Sequence, residues 1–154
     1  MASGGSIRTG VVTFINRTNM DLKIIDKELI QSLHEQAAKL ERLRINYDLR
    51  TSEKDNSQRM LNVLQPGTKV LIHKHDNTDE TILCLEGKLD VIFYAEVPHI
   101  RAGKSRMDFS EIGRTELCPR NGKYGVQVPK GVWHTIEVYE ESTIFDGMNG
   151  AYGQ

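Results

Sequence analysis

The feature that most limits the fold of this chain is a series of short apolar or alternating segments that begins near residue 59. The segments cover residues 59–64, 69–75, 80–86, 88–95, 124–128 and 134–139, with glycine, proline or asparagine between them. This length and spacing are typical of antiparallel strands in a β-sandwich or a small barrel. Residues 95–117 interrupt the series with mixed charge and two glycines, and they predict a long, partly ordered hairpin connection.

One amphipathic helix is predicted ahead of the strands, over about residues 26–43. Asp26 can cap its first turn. Its apolar stripe is formed by Leu29, Leu33, Ala37 and Leu40, which recur at steps of four and three. The chain has 154 residues, the size of one ordinary domain. Residues 21–154 are therefore predicted to form a single, mainly β domain, and the aperiodic residues 1–20 a flexible N-terminal arm.

Composition limits the partners of this domain. Lys and Arg number 20 and Asp and Glu 21, a formal net charge of -1, so the basic surface of a nucleic-acid-binding protein is not expected. No apolar run approaches the length needed for membrane insertion. Cys84 and Cys118, in a chain without an export signal, are predicted to be free thiols, as in the cytoplasm. A small-molecule ligand is the kind of partner that this composition favours.

Two of the five histidines, His73 and His75, lie two residues apart in a predicted strand. Alternate residues of a strand share a face, so both imidazoles are expected on one side together with Leu71, with Val70 on the other. Neighbouring side chains on one face lie roughly 6.5 Å apart, and two rings can converge from there on one ion.

A carboxylate and a third imidazole can complete such a site. Glu80 begins the next apolar segment, and His134 follows a turn-forming Pro129-x-Gly131 sequence at the start of a later one. Three imidazoles and one carboxylate suit one divalent transition metal, and Zn, Ni, Fe, Mn and Co all remain candidates.

The spacing of these residues resembles that of the cupins. Gly67-x5-His73-x-His75-x4-Glu80-x6-Gly87 matches every fixed position of the first cupin motif, and Pro129-x-Gly131-x-x-His134 matches the centre of the second. Two positions depart from the second motif, because Gly122 and Gly125 fall on either side of the expected opening glycine and Val138 replaces its closing asparagine.

A narrower resemblance covers roughly residues 21–152. The segments RINYDLR, QRMLNVLQPGT, HKHDNTDETILCLEG, GKYGVQVPKGVWHTIEV and STIF are together similar to the WbuC-type cupin-fold metalloproteins, a family associated with O-antigen and lipopolysaccharide gene clusters. This resemblance implies a double-stranded β-helix, or jelly-roll barrel, with His73, His75, Glu80 and His134 as metal ligands. It also makes Arg44, Asn46 and Tyr47 a candidate lid or anion-binding lip over the cavity, whereas without this fold the three residues are a polar exit from the helix.

Two further residues have competing interpretations. Asp79, like Asp76, could accept a hydrogen bond from a ligand imidazole, or could belong to a solvated turn. Cys84 lies an even number of residues after Glu80 and is expected on the same interior face, where it either reaches the metal or packs in the core; packing is favoured. His34 and His99 have no ligand-spaced partner and are left out of the site.

Three function classes fit these observations. The protein could be a metal-dependent enzyme, an isomerase or an oxygenase, that acts on a small polar compound, for instance a sugar-derived one linked to lipopolysaccharide biosynthesis. It could instead be a non-catalytic binding or sensing protein, since one barrel fold hosts both functions. In a third class the metal only stiffens the barrel. The resemblance to cupins, which often pair through their sheets, implies a homodimer, for which the helix and the exposed strand edges offer surface.

Overall fold

Two antiparallel β-sheets face each other in the computed structural model, which describes residues 21–150 and all of their side chains except those of residues 100 and 101. One helix, α1, spans Lys27–Lys39. The strands are β1 (Arg44–Asp48), β2 (Ser57–Leu64), β3 (Glu80–Glu86), β4 (Leu89–Arg101), β5 (Lys104–Leu117), β6 (Gly125–Val128), β7 (Trp133–Val138) and β8 (Ser142–Asn149). A short 3-10 helix, Pro119–Asn121, precedes β6.

The strand order encloses an interior between the sheets. The larger sheet has the order β1-β2-β8-β3-β6 and the smaller one the order β5-β4-β7. All pairings within the two sheets are antiparallel. The predicted mainly β fold with an N-terminal helix is confirmed. Within residues 21–150, no helix combines the length and apolar character that crossing a bilayer requires.

Alternation along β2 separates the two faces of the larger sheet. The interior cavity is lined from β2 by Gln58, Met60, Asn62 and Leu64. Leu61 and Val63 point the other way, where α1 packs, and both are fully buried. From α1, Leu33 and Ala37 are buried as the apolar stripe predicts, whereas Leu40 is 40% exposed because it lies beyond the end of the helix.

The helix is shorter than predicted. Asp26 does cap it, since its Oδ1 accepts the Leu29 N–H at 2.9 Å. The helix ends at Lys39 rather than near residue 43, and Leu43 has a positive φ of 56°. This turn leads directly into β1, whose main-chain hydrogen bonds with β2 outweigh the helical pattern of the preceding residues. The arm predicted over residues 1–20 lies outside the described residues.

Two predicted segments differ in the structure. Residues 69–75 form no regular strand, and only His73 makes a bridge, to His134. Residues 95–117 do form a hairpin, but it is regular rather than partly ordered, because β4 and β5 continue through them as one ribbon that turns at Ala102 and Gly103. Beyond Tyr94 the ribbon has no pairing with β7, so neither face is regularly buried and the sequence shows no alternation.

His34 fixes α1 to the larger sheet. Its Nε2 lies 2.7 Å from Glu86 Oε1, and its Nδ1 lies 2.8 Å from the Gln65 side-chain nitrogen. The Thr143 hydroxyl donates to the same Glu86 oxygen at 2.9 Å. These hydrogen bonds satisfy a buried imidazole on the face of α1 that packs against the sheet, so His34 has a structural role outside the candidate metal centre.

The apolar core fills the barrel on one side of the cavity. It consists of Leu64, Ile82, Cys84, Leu89, Val91, Leu117, Val128, Val138 and Ile144. Leu64, Ile82 and Ile144 also line the cavity, so its inner wall is the surface of the core. The polar residues of the site therefore stand on a rigid, well-packed base.

Candidate metal centre

Three different parts of the chain bring four side chains together. His73 and His75 lie on the extended segment after β2, Glu80 is the first residue of β3, and His134 is the second residue of β7. One donor atom from each of the four lies within 4.8 Å of all the others. The sequence-predicted ligand set is thus assembled at one point of the barrel interior.

A main-chain bridge holds two of the imidazoles side by side. The His73 N–H donates to His134 O at 3.0 Å, and the His134 N–H donates to His73 O at 2.8 Å. Their ring centroids lie 4.4 Å apart. The irregular segment before the bridge also explains an error of simple alternation. Val70 lines the cavity, whereas Leu71, predicted to share the face of the histidines, is 85% exposed.

Hydrogen bonds to main-chain carbonyls fix how two rings present their nitrogens. His73 Nδ1 lies 2.8 Å from Leu71 O, and His134 Nδ1 lies 2.9 Å from Val132 O. A carbonyl oxygen only accepts, so each Nδ1 carries the proton and each Nε2 of the neutral ring keeps its lone pair. The same arrangement orients histidines that bind metals in other proteins.

Glu80 is the centre of the group. Its Oε1 lies 2.7 Å from His134 Nε2 and 3.5 Å from His75 Nε2. On an ion with bonds of about 2.1 Å, neighbouring donors lie roughly 3 Å apart and opposite donors roughly 4 Å apart. Glu80 Oε1 lies near this range from both nitrogens, and the four donor atoms all lie within 4.8 Å of one another, so the four residues could hold a divalent transition metal.

The pKa values of the group show how strongly its members interact. Burial alone would raise the pKa of Glu80, but hydrogen bonds with His134, His75 and Asp146 outweigh it and hold this pKa well below its usual range. Burial lowers the pKa of His73. Burial would also lower the pKa of His134, yet the Glu80 carboxylate raises it. The carboxylate is therefore ionised at neutral pH, as a metal ligand must be.

Two functional candidates are absent from the sequence prediction. Asp146 of β8 is buried against Glu80, and burial followed by the Glu80 charge raises its pKa well above the ordinary value. Gln58 of β2 is 3% exposed, and its Nε2 lies 3.4 Å from Asp146 Oδ2. Both strands carry several other polar residues, so no local sequence signal distinguishes Gln58 and Asp146 from surface positions.

The cavity in front of the four residues has a volume of about 160 Å³. Arg44 and Asn46, which the sequence places at a lip, do line it, together with Arg42. Tyr47 lies on the alternate face of β1 and is not among the lining residues. The Arg44 guanidinium donates to Lys69 O at 2.6 Å, so the loop after β2 holds this side chain in place.

Two other predicted residues lie apart from the four. Asp79 Oδ1 accepts the Lys130 N–H at 2.9 Å, so its carboxylate joins two turns and orients no imidazole through this oxygen. Cys84 lies in the apolar core, and its thiol donates to Glu86 O at 3.1 Å. Burial raises the pKa of Cys84 to about 11. The thiol is thus placed for packing, as the favoured interpretation holds.

Comparison with solved structures supports the fold. A cupin superfamily protein (DSY2733) from Desulfitobacterium hafniense DCB-2 superposes with a TM-score of 0.54 at 18% identity, over 86% of this chain and 100% of that one. TT1209 from Thermus thermophilus gives 0.55 at 15% identity, over 84% and 98%. SPY1581, a conserved protein of unknown function from Streptococcus pyogenes, gives 0.55 at 10% identity, over 87% and 92%.

These similarities confirm the resemblance to the cupins at the level of the fold. No curated protein matches the chain. One family model matches residues 25–104, which is just over half of the 154 residues and includes α1, the segment with His73 and His75, and Glu80. The chain belongs to the family described as Domain of unknown function (DUF6016), and its fold is that of a cupin.

Proposed function

We propose that the protein binds one divalent transition metal through His73, His75, Glu80 and His134 and acts through it on a small polar molecule. The observation that carries this proposal is the orientation of the rings. His73 and His134 each use Nδ1 on a main-chain carbonyl, so their Nε2 atoms are available to the group around Glu80. Zn, Ni, Fe, Mn and Co all suit this donor set.

When bound, such an ion supplies a Lewis acid with coordination positions open to a ligand. The side chains of the cavity control access of water and the charge that a ligand meets. The apolar surface of Ile82, Ile136 and Ile144 limits water in the cavity, while Arg42 and Arg44 place positive charge on its wall. The volume of about 160 Å³ is below the roughly 300 Å³ at which sites for drug-sized ligands begin. The ligand is therefore a small one.

One observation favours an enzyme over a binding protein. Asp146 lines the cavity and is buried beside Glu80, so a carboxyl group that can exchange a proton with a bound substrate stands next to the metal ligands. We propose a metal-dependent isomerase or oxygenase whose substrate is sugar-derived. The WbuC resemblance supports a link with lipopolysaccharide or O-antigen biosynthesis. Cys84 and Cys118 are both free thiols, which supports a cytoplasmic location.

Metal and ligand are expected to stabilise the protein in two steps. Protein stripped by a chelator and reloaded with the preferred metal at about 100 times its Kd will melt roughly 5–10 °C higher, since only the folded state holds the four donors together. A ligand of the cavity will add a further increase. Melting curves with each candidate metal, with and without monosaccharides, their acids and their keto derivatives, measure both steps.

Product analysis on the same samples separates the function classes. Turnover by the metal-loaded protein, absent from the stripped protein, is the expected result. Stabilisation by a sugar without any product would favour the non-catalytic binding protein. If the metal stabilises the protein and no sugar has any effect, both the enzyme and the binding protein are contradicted, and the role of the metal is purely structural.

We also propose that the protein is a homodimer that pairs through β5. This strand has 14 residues and lies at the edge of the smaller sheet. Met107 and Ile112 on it are 47% and 66% exposed, and a second copy would cover them. Light scattering is expected to give twice the chain mass of 17.5 kDa, and Ile112→Pro is expected to reduce it to one chain. A single-chain mass for the unaltered protein would contradict the proposal.

A further inference from the structure

The wall of the cavity formed by β1 and β2 carries several polar side chains beside Met60 and Leu64, where a barrel interior is ordinarily apolar. Three carboxamides line it: Gln58 and Asn62 from β2, and Asn46 from β1. Asn46 and Asn62 lie directly opposite each other in the register of the two strands. We call Gln58, Asn62 and Asn46 the amide wall. Side chains that pair directly across strands can act on one ligand together.

Gln58 is the member of the amide wall that most needs a ligand. The residue is 3% exposed, and its Nε2 is 3.4 Å from Asp146 Oδ2. Its Oε1 is buried and has no hydrogen-bond partner among the residues that the structure describes. Buried polar atoms of folded proteins are almost always paired, so this atom points to a group that enters the cavity. Gln58 and Glu80 are both in register with Met148 of β8, so the atom stands near the candidate metal centre.

Carboxamides and hydroxyl groups match each other chemically. A carboxamide presents both a donor and an acceptor, and a hydroxyl group does the same. A wall of three carboxamides therefore favours a ligand with several hydroxyl groups over a purely apolar one. The opposite wall, with Val70 and Ile136, offers contact to the carbon skeleton of such a ligand.

The charge on the cavity wall adds a second requirement. Arg42 and Arg44 line the cavity, with Arg42 exposed and Arg44 half-buried. Arg44 is oriented by hydrogen bonds to Lys69 O and to the Thr68 hydroxyl, at 2.6 and 3.4 Å. Two guanidinium groups and a divalent ion outweigh Glu80 and Asp146 even if both carboxyls are ionised. The cavity thus favours an anion, and guanidinium groups suit a carboxylate in particular.

We infer that the ligand of this cavity is a polyhydroxylated carboxylic acid of monosaccharide size, with Gln58 as the residue that selects for its hydroxyl groups. Its carboxylate lies toward Arg42 and Arg44, and its hydroxyl groups face the amide wall. This inference deepens the proposed function and rests on it for the role of the metal. The amide wall itself belongs to the protein and is present without a metal.

Three six-membered ring compounds separate the two requirements. D-glucuronate carries the hydroxyl groups and the carboxylate, D-glucose carries the hydroxyl groups alone, and cyclohexanecarboxylate carries the carboxylate alone. Calorimetric titration of the metal-loaded protein is expected to give a Kd for glucuronate at least tenfold lower than for either of the other two. Equal affinity for all three, or no binding of glucuronate, would overturn the inference.

Gln58→Leu tests the amide wall. Removing one hydrogen bond is expected to weaken glucuronate binding roughly 3- to 10-fold, with cyclohexanecarboxylate unchanged or improved. Gln127→Leu is the matched control, because the Gln127 side chain is exposed on β6 and accepts a hydrogen bond from the Thr81 hydroxyl outside the cavity. Should Gln58→Leu fail to fold, Gln58→Met, of nearly the same length, gives the same comparison. Unchanged glucuronate binding in a folded Gln58 variant would overturn the role of Gln58.

Metal content keeps this test separate from the proposed function. The Gln58 variants are expected to hold as much metal as the unaltered protein, since Gln58 is not one of the four ligands. If the unaltered protein holds no metal but still prefers glucuronate in a Gln58-dependent way, the proposed metal function fails and the inference stands. If it holds metal without that preference, the inference fails and the metal function stands.

Discussion

A His73→Ala, His75→Ala variant will lose more than about 100-fold in metal affinity. Changes to residues that merely orient a ligand typically cost 10- to 100-fold, and this variant removes two of the three nitrogen donors outright. Both side chains are only partly buried, so the variant is expected to fold. Competition against a chromogenic chelator measures the affinity, and elemental analysis of the purified proteins measures the occupancy.

His99→Ala is the matched control for that variant. His99 lies on the β4–β5 ribbon and pairs with Asp108 at 3.6 Å, outside the four-residue group. Its removal is expected to leave metal affinity and occupancy unchanged. The melting temperature of the double variant should also equal that of the chelated, unaltered protein. Equal, stoichiometric metal in the double variant and the unaltered protein would rule out the site.

Gly87→Ala will destabilise the fold by more than about 3 kcal/mol. Gly87 carries the chain from β3 in one sheet to β4 in the other, with a φ of +94° that favours glycine. A Cβ there would lie 2.3 Å from Glu141 O and 2.7 Å from Ser142 Cα, and main-chain atoms cannot move aside cheaply. Denaturant unfolding of the two proteins measures the difference in free energy.

Gly122→Ala isolates the effect of crowding from that of backbone conformation. Gly122 has a comparable φ of +76°, but a Cβ there would have nothing within 4 Å. Its substitution by alanine is expected to lower the free energy of unfolding by only about 1–2 kcal/mol, the cost of a left-handed conformation for a residue with a Cβ. If both alanine variants lose the same stability, close packing at Gly87 is not what requires glycine in the first cupin motif.

Spacing alone was sufficient to predict the four-residue group. Side chains two positions apart on an extended segment can turn to one point, and His73 and His75 do so although their segment forms only an isolated bridge. The main-chain bridge to His134 could not be read from the sequence, because it joins residues 61 positions apart. The faces of Leu71 and Val70 were predicted wrongly because strict alternation along a whole segment is expected only where a regular strand ladder forms.

The polar elements were the hardest to predict. Without the resemblance, Arg44, Asn46 and Tyr47 are interpreted as a polar exit from the helix. They form β1 instead, because pairing with β2 supplies a strand conformation that their own side chains do not favour. Beyond Tyr94, the β4–β5 ribbon shows no alternation because neither of its faces is regularly buried. Gln58 and Asp146 resemble surface positions until the sheets assemble and both turn out to face the cavity. The local sequence pattern identifies residues of an apolar interior, whereas residues of a polar interior can be identified only from the tertiary structure.

The departure at the second cupin motif has a physical explanation. Gly125 begins β6, and a Cβ there would lie 2.5 Å from Ile82 O of the neighbouring strand β3. The close approach of these strands therefore requires a glycine at this position. Gly122 meets no such contact and only ends the short 3-10 helix in a left-handed conformation. Of the two glycines, Gly125 is thus the one that the packing of the barrel strands requires.

Anomalous diffraction from a crystal of the metal-loaded protein, recorded at the absorption edge of the metal, tests the central claim most directly. The predicted result is one dominant peak per chain, about 2.0–2.3 Å from the Nε2 atoms of His73, His75 and His134 and from a carboxylate oxygen of Glu80. A dominant peak elsewhere, with no peak among these four side chains, would contradict the metal centre and with it the proposed function.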